Sequence, residues 1–125
     1  MTRVLIMLAV VALLRCGGGQ QKETYAEGVI RRNKQARDTG SDLNIRNIQK
    51  AIDDYRNDND AYPAGNDYTV LTPALTPTYI VVLPERDSWG RRYRYECDGR
   101  SYRLSSNGQD GLPHTPDDIV VTGSS

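Results

Sequence analysis

Arg92-Tyr93-Arg94-Tyr95-Glu96-Cys97-Asp98-Gly99-Arg100-Ser101-Tyr102-Arg103-Leu104 is the stretch that decides the fold. From Arg92 to Cys97, charged residues alternate with aromatic or apolar ones. That is the period of a half-buried strand. Asp98-Gly99 is a two-residue hairpin signal. Ser101 to Leu104 then repeats the alternation. Tyr93, Tyr95 and Cys97 therefore share one face, with Tyr102 and Leu104 beside them on the returning strand. A sheet with one apolar face needs another layer to cover it.

The covering layer lies upstream. Lys22 to Asn59 contains no proline. Ile45, Ile48, Ile52 and Tyr55, with Ala51 beside them, form one helical stripe. Arg46, Lys50, Asp53, Asp54 and Arg56 fall on the other faces. Ser41 reads as an N-cap, with Asp42 in the first turn. A weaker stripe of Tyr25, Val29 and Ala36 precedes it and is interrupted near Thr39-Gly40. The segment is then one long helix with a soft point or two helical pieces. Asn57–Asp60 ends it, and Tyr62-Pro63 sets an extended turn. A short helical turn is expected around Leu71–Leu75. The run Ile80-Val81-Val82-Leu83 is expected to cover one end of the sheet. Asp87-Ser88-Trp89-Gly90 is a turn. The expected fold is α+β: an N-terminal amphipathic helix packed on a small antiparallel β-sheet.

After Leu104 the chain enters a loop in which Asn107, Asp110, Asp117 and Asp118 fall within twelve positions. No Lys or Arg lies between Asp110 and Asp118. Folding such a loop brings like charges together, which needs a cation or full solvation. Ca²⁺ takes six to eight oxygen ligands. Asp110, Asp117 and Asp118 supply the candidate carboxylates. Backbone carbonyls near Asn107 and Leu112 could complete the shell, with Thr115 or water filling in. Gly108 and Gly111 permit the backbone shapes this needs, and Pro113 and Pro116 limit the loop's freedom. The spacing is not that of an EF-hand. The other reading has Asp117-Asp118 capping a solvated turn. Ile119-Val120-Val121 then forms a last strand.

At 125 residues, 38% of them hydrophobic and none of them Phe, the chain makes one small domain with a thin core. A stabilising ion would matter in such a domain. The formal charge is zero. Residues 1–16 hold Arg3 and Arg15 and no acid, so without them 14 basic residues face 16 acidic ones, about −2. A nucleic-acid partner needs a clear basic excess and is not expected. Residues 1–16 read as a lipoprotein-like signal peptide, with an apolar run from Val4 to Leu14 too short to span a bilayer. Residues 17–24 form a polar, glycine-rich linker, and 25–125 form the domain. Leu13-Leu14-Arg15-Cys16 resembles a lipobox, which makes Cys16 a lipidation candidate. Arg15 departs from that pattern, and ordinary secretion is the other reading, with Cys16 removed or paired to Cys97. Both put the domain in the periplasm or cell envelope.

Catalysis is not expected. His114, the single histidine, lacks a second ligand at metal-site spacing. No serine has a recognisable base with an orienting acid. Cys97 reads as an inert, inward thiol. No small-molecule substrate is implied. Arg91-Arg92-x-Arg94 reads as the solvated face of a strand, or as a docking patch for an acidic partner.

Several short pieces occur in an order that resembles a known family. They are Ile48-Gln49-x-Ala51-Ile52-x-x-Tyr55-Arg56-x-Asp58-Asn59, Tyr62-Pro63, Leu83-Pro84 and Asp87-x-Trp89-Gly90. Tyr93-x-Tyr95, Ser106-x-Gly108-x-Asp110-Gly111 and Asp117-Asp118-Ile119 follow. Residues 45–119 thereby resemble the C-terminal globular domain of the major pseudopilin of type II secretion systems and, more loosely, type IV pilin-like proteins. The resemblance implies that the last loop binds Ca²⁺, with Asp110 and Asp117 ranked first because their seven-residue separation matches the family's loop, and Asp118 next. It also implies that the chain serves as a structural module of a secretion or pilus-like assembly. Its partners would be other pseudopilins or envelope secretion components. The family's Gly-Phe-Thr-Leu-x-Glu start is not present in residues 1–22. The alternative is therefore an envelope-tethered lipoprotein binding or adaptor domain that reuses the pilin-like fold, held to the membrane by a lipid anchor or the signal segment.

Overall fold

The computed structural model describes residues 23–125. The expected signal peptide 1–16 with Cys16, and the expected linker up to Lys22, lie outside the described residues. Helix α1 runs unbroken from Tyr25 to Asn59. Its start is set by Thr24, whose hydroxyl accepts the Glu27 amide at 3.3 Å while the Thr24 amide donates to the Glu27 carboxylate at 2.8 Å. This is a reciprocal capping box. Three i,i+4 ion pairs, Lys34–Asp38, Arg46–Asp42 and Lys50–Asp54, support the exposed faces. Asp60, in the left-handed region at φ 58°, closes the helix with its amide on the Arg56 carbonyl.

The expected cap at Ser41 is corrected here, and of the two readings of the segment the single long helix is the one observed. Ser41 is inside the helix and fully buried. Its hydroxyl accepts the Ser88 amide at 3.0 Å, so its partner is tertiary rather than local. Gly40 marks a close approach: a Cβ there would meet Ser88 Oγ at 2.8 Å. The missing Cβ leaves room for the Ser88 hydroxyl where the turn at 87–90 meets the helix.

A short 3₁₀ turn, Tyr68–Val70, leads into α2, Leu71–Leu75. Strands β1 (Arg94–Cys97), β2 (Ser101–Ser106) and β3 (Ile119–Ser124) form an antiparallel sheet in the order β1-β2-β3. Tyr95 faces Leu104 across the first pair, and Leu104 faces Val121 across the second. The hairpin turn is displaced one residue from the expected Asp98-Gly99. The Asp98 amide donates to the Ser101 carbonyl at 3.2 Å, leaving Gly99-Arg100 in the middle. Gly99 has φ 95°, and the Asp98 carboxylate accepts both the Arg100 and Ser101 amides at 2.8 Å. Asp98 thus braces the turn from its first corner.

The core forms where the helix stripe meets the tyrosine face. Ile45, Ile48, Ala51 and Ile52 pack with Tyr93, Tyr95, Cys97, Tyr102 and Leu104, and with Leu71 and Leu75 from α2. Burial of each large apolar side chain contributes roughly 1.5–3 kcal/mol. Two of the core tyrosines place their hydroxyls on backbone carbonyls. Tyr95 donates to the Pro63 carbonyl at 2.7 Å, and Tyr68 donates to the Pro84 carbonyl. Tyr62 meets Tyr102 edge to face at 4.8 Å. Cys97 is buried, with no cysteine partner among the described residues.

Two expectations about apolar segments differ from the structure. Of Ile80–Leu83 only Leu83 is buried, and Val81 and Val82 face outward. In the upstream stripe of α1, Tyr25 and Ala36 are exposed. Helix burial begins at Ser41. Among the described residues, no helix is long and apolar enough to cross a membrane.

Candidate metal centre

The chain between β2 and β3 folds Asp110, Asp117 and Asp118 onto one another. One carboxylate oxygen from each lies within 4.8 Å of the other two. Thr115 stands in their midst. Its hydroxyl is 3.2 Å from Asp110 Oδ1, 2.6 Å from Asp117 Oδ1, 3.0 Å from Asp118 Oδ1 and 3.1 Å from the Leu112 carbonyl. A hydroxyl has one proton to donate, so it can satisfy only one of those four acceptors fully. None of the ion pairs among the described residues involves these three carboxylates.

Local backbone geometry produces this convergence. Gly108 and Gly111 adopt φ 65° and 71°. At Gly108 a Cβ would meet the Asp117 carbonyl at 2.3 Å and its Oδ2 at 2.7 Å. Glycine there lets the two ends of the loop touch. The Asp110 amide then donates to Asp117 Oδ2 at 3.0 Å. His114, at φ 64°, turns its amide onto Asp118 Oδ2 at 2.7 Å. Asp110 Oδ1 accepts the Leu112 amide at 2.9 Å. The Asp117 carboxyl is held well below the ordinary range, at about 2, first by the Thr115 hydroxyl and then by the Asp110 amide.

The donor set is all oxygen, anionic and clustered. Hard cations such as Ca²⁺ select such donors, whereas a zinc or copper site would call for nitrogen or sulfur. The residues present therefore fit the group. Asp110, Asp117, Asp118 and the Leu112 carbonyl come together. The fifth candidate, Asn107, sits at the loop entrance, where its amide donates to the Gly111 carbonyl at 3.3 Å. Its Oδ1 is buried with no hydrogen-bond partner.

Three residues of the surrounding scaffold take roles that their sequence readings do not include. Asp87 is buried and accepts the Ser106 hydroxyl at 2.7 Å. Ser106 in turn accepts the Gly108 amide at 3.3 Å. Arg91 reaches the carbonyls of Gly108 and Gln109 at 2.8 and 3.1 Å. Only the spacing of Asp87 from Trp89-Gly90 hinted at a turn, and nothing linked that turn to the acidic loop. Arg92 and Arg94, the neighbours of Arg91 in sequence, are both exposed.

Comparison with known proteins places this architecture. The family described as type II secretion system protein G matches residues 28–122. The chain is 34% identical over 85 residues to a type II secretion system core protein G of Klebsiella michiganensis, covering 58% of this chain and 59% of that protein. It is 35% identical over 88 residues to the core protein G of Pectobacterium carotovorum, covering 60% of this chain and 56% of that one. The chain thus spans less than two thirds of the length of these relatives. Among solved structures, the major pseudopilin from the type 2 secretion system of enterohaemorrhagic Escherichia coli superposes with a TM-score of 0.58 at 28% identity. That superposition covers 74% of this chain and 87% of the pseudopilin. With the family match running from the first turn of α1 into β3, the chain belongs to the type II secretion system protein G family.

Proposed function

We propose that this protein is a structural, calcium-stabilised pseudopilin-like module of a type II secretion or pilus-like assembly in the bacterial envelope. Family membership over residues 28–122 is the observation that carries this reading. Its partners would be other pseudopilins or secretion components of the envelope. The role is mechanical rather than catalytic. Tyr25 and Ile30 are exposed on the upstream half of α1, and the buried positions of the helix, Ser41, Ile45, Ile48, Ala51 and Ile52, all lie downstream, so the upstream half is where a partner would pack.

Asp110, Asp117 and Asp118 would hold Ca²⁺ through their carboxylates and Leu112 through its carbonyl, with Asn107 at the loop entrance. The ion would supply positive charge to offset the carboxylate repulsion. Asp110 ties the first half of the loop to the second, and Asp117 lies two residues before β3. Closing the loop therefore fixes the start of the last strand.

A photo-crosslinker in place of Ile30, in cells that also carry the secretion genes, tests the assembly role. The expected product is a ladder of copies or adducts with other secretion components. A single monomeric band under those conditions would contradict it.

A further inference from the structure

We propose that Arg91 is a positioning residue for the acidic loop, orienting the peptide group that binds Asp117 and thereby setting the loop's affinity for Ca²⁺. The affinity part rests on the calcium reading above, and the positioning part does not. The anchor is the turn at 87–91. The Asp87 amide donates to the Arg91 carbonyl at 2.8 Å. The Arg91 amide donates back to Asp87 Oδ1 at 2.9 Å. Asp87 is 5% exposed and also accepts the Trp89 amide and the Ser106 hydroxyl. Ser88 ties the same turn to Ser41 on α1. The base of the Arg91 side chain is therefore fixed on both the helix and the sheet.

From that base, Arg91 Nη1 donates to the carbonyls of Gly108 and Gln109. The guanidinium lies against Gly111, where a Cβ would meet Nε at 2.5 Å and Cζ at 2.7 Å. The Gln109 carbonyl and the Asp110 amide belong to one planar peptide unit. Arg91 holds its oxygen, and Asp117 Oδ2 accepts its N–H at 3.0 Å. A plane held at one end cannot turn away at the other. Arg91 directs its charge at carbonyls, and no carboxylate of the loop pairs with it within 4.0 Å. The side chain is exposed, so its repulsion of a bound cation is screened by solvent. Preordering the loop lowers the conformational entropy lost on binding. Ordering outweighs repulsion, and removing Arg91 weakens binding.

The test uses the full chain and its Arg91→Met and Arg91→Lys variants. In EDTA, amide exchange at Asp110 should quicken about tenfold in Arg91→Met, the size expected for losing one or two hydrogen bonds, with Tyr102–Leu104 unchanged. Calorimetric titration with CaCl₂ should give a dissociation constant about tenfold weaker in Arg91→Met. Arg91→Lys, which keeps the charge without the planar fork, should stay close to Arg91→Met in both. Unchanged exchange at Asp110 overturns the positioning role. Tighter calcium binding in Arg91→Met means that repulsion dominates and overturns the affinity claim. Should the unaltered protein take up no calcium, the calcium reading and the affinity claim fall together, while exchange at Asp110 still decides the positioning role.

Discussion

Thr115 and Asp98 show how much one short side chain decides here. Thr115 is shared among four acceptors, a role no periodicity announces. Asp98 braces the hairpin through the amides of Ser101 and Arg100, and these bonds hold its carboxyl below the ordinary value of 3.8. A lowered folded value means a stabilising contribution that is complete above the unfolded-chain value and lost as pH falls through the folded one. Asp98→Ala should therefore unfold at lower urea than the unaltered protein at about pH 6, and the gap should narrow as the pH drops below 3.8. Urea midpoints across that range check the sign. Of the metal candidates, Asp110 and Asp117 were legible because no Lys or Arg separates them and their spacing matches the loop of the family the sequence resembles. Arg91 was not, because its contacts lie seventeen and eighteen residues away and depend on a turn anchored to α1.

Helix α1 is two different environments in one element. From Ser41 to Ile52 it is packed against the sheet, and from Tyr25 to Thr39 its support is the capping box, ion pairs and the Arg37 guanidinium over the Trp89 ring. Most helical stability comes from packing of an apolar face, not from propensity. Amides of residues 29–38 should therefore exchange faster than those of residues 45–55, and hydrogen exchange resolved by residue measures this directly. Equal protection along the helix would show that something beyond these contacts holds the upstream half. The Ile45–Tyr55 stripe and the tyrosine alternation were readable because each has a clean period. Ser41 and Gly40 misled because serine and glycine are also the residues of helix ends, and only tertiary contact with Ser88 reveals their purpose. The hairpin was placed one residue early for a related reason. Asp-Gly is a turn signal, but here Asp98 supplies the brace and Gly99 begins the central pair.

At the scale of the whole molecule, a thin core is closed by a loop with an electrostatic problem. Three strands and one covered helix face leave the last strand dependent on how residues 107–118 are tied. The α+β layout followed from periodicity, and the family resemblance followed from short pieces in order. The members of the acidic cage were named from the sequence, but their geometry required the fold, because Thr115 is placed at its centre by backbone turns that composition does not encode. The central claim is that Ca²⁺ offsets this repulsion and stabilises the fold. Thermal melting of the full chain in EDTA and in millimolar CaCl₂, beside Asp117→Ala, tests it most directly. Ca²⁺ should raise the melting temperature by about 4–8 °C for each kcal/mol of binding linkage, and Asp117→Ala should show no rise. An identical melting temperature in EDTA and CaCl₂ would contradict it.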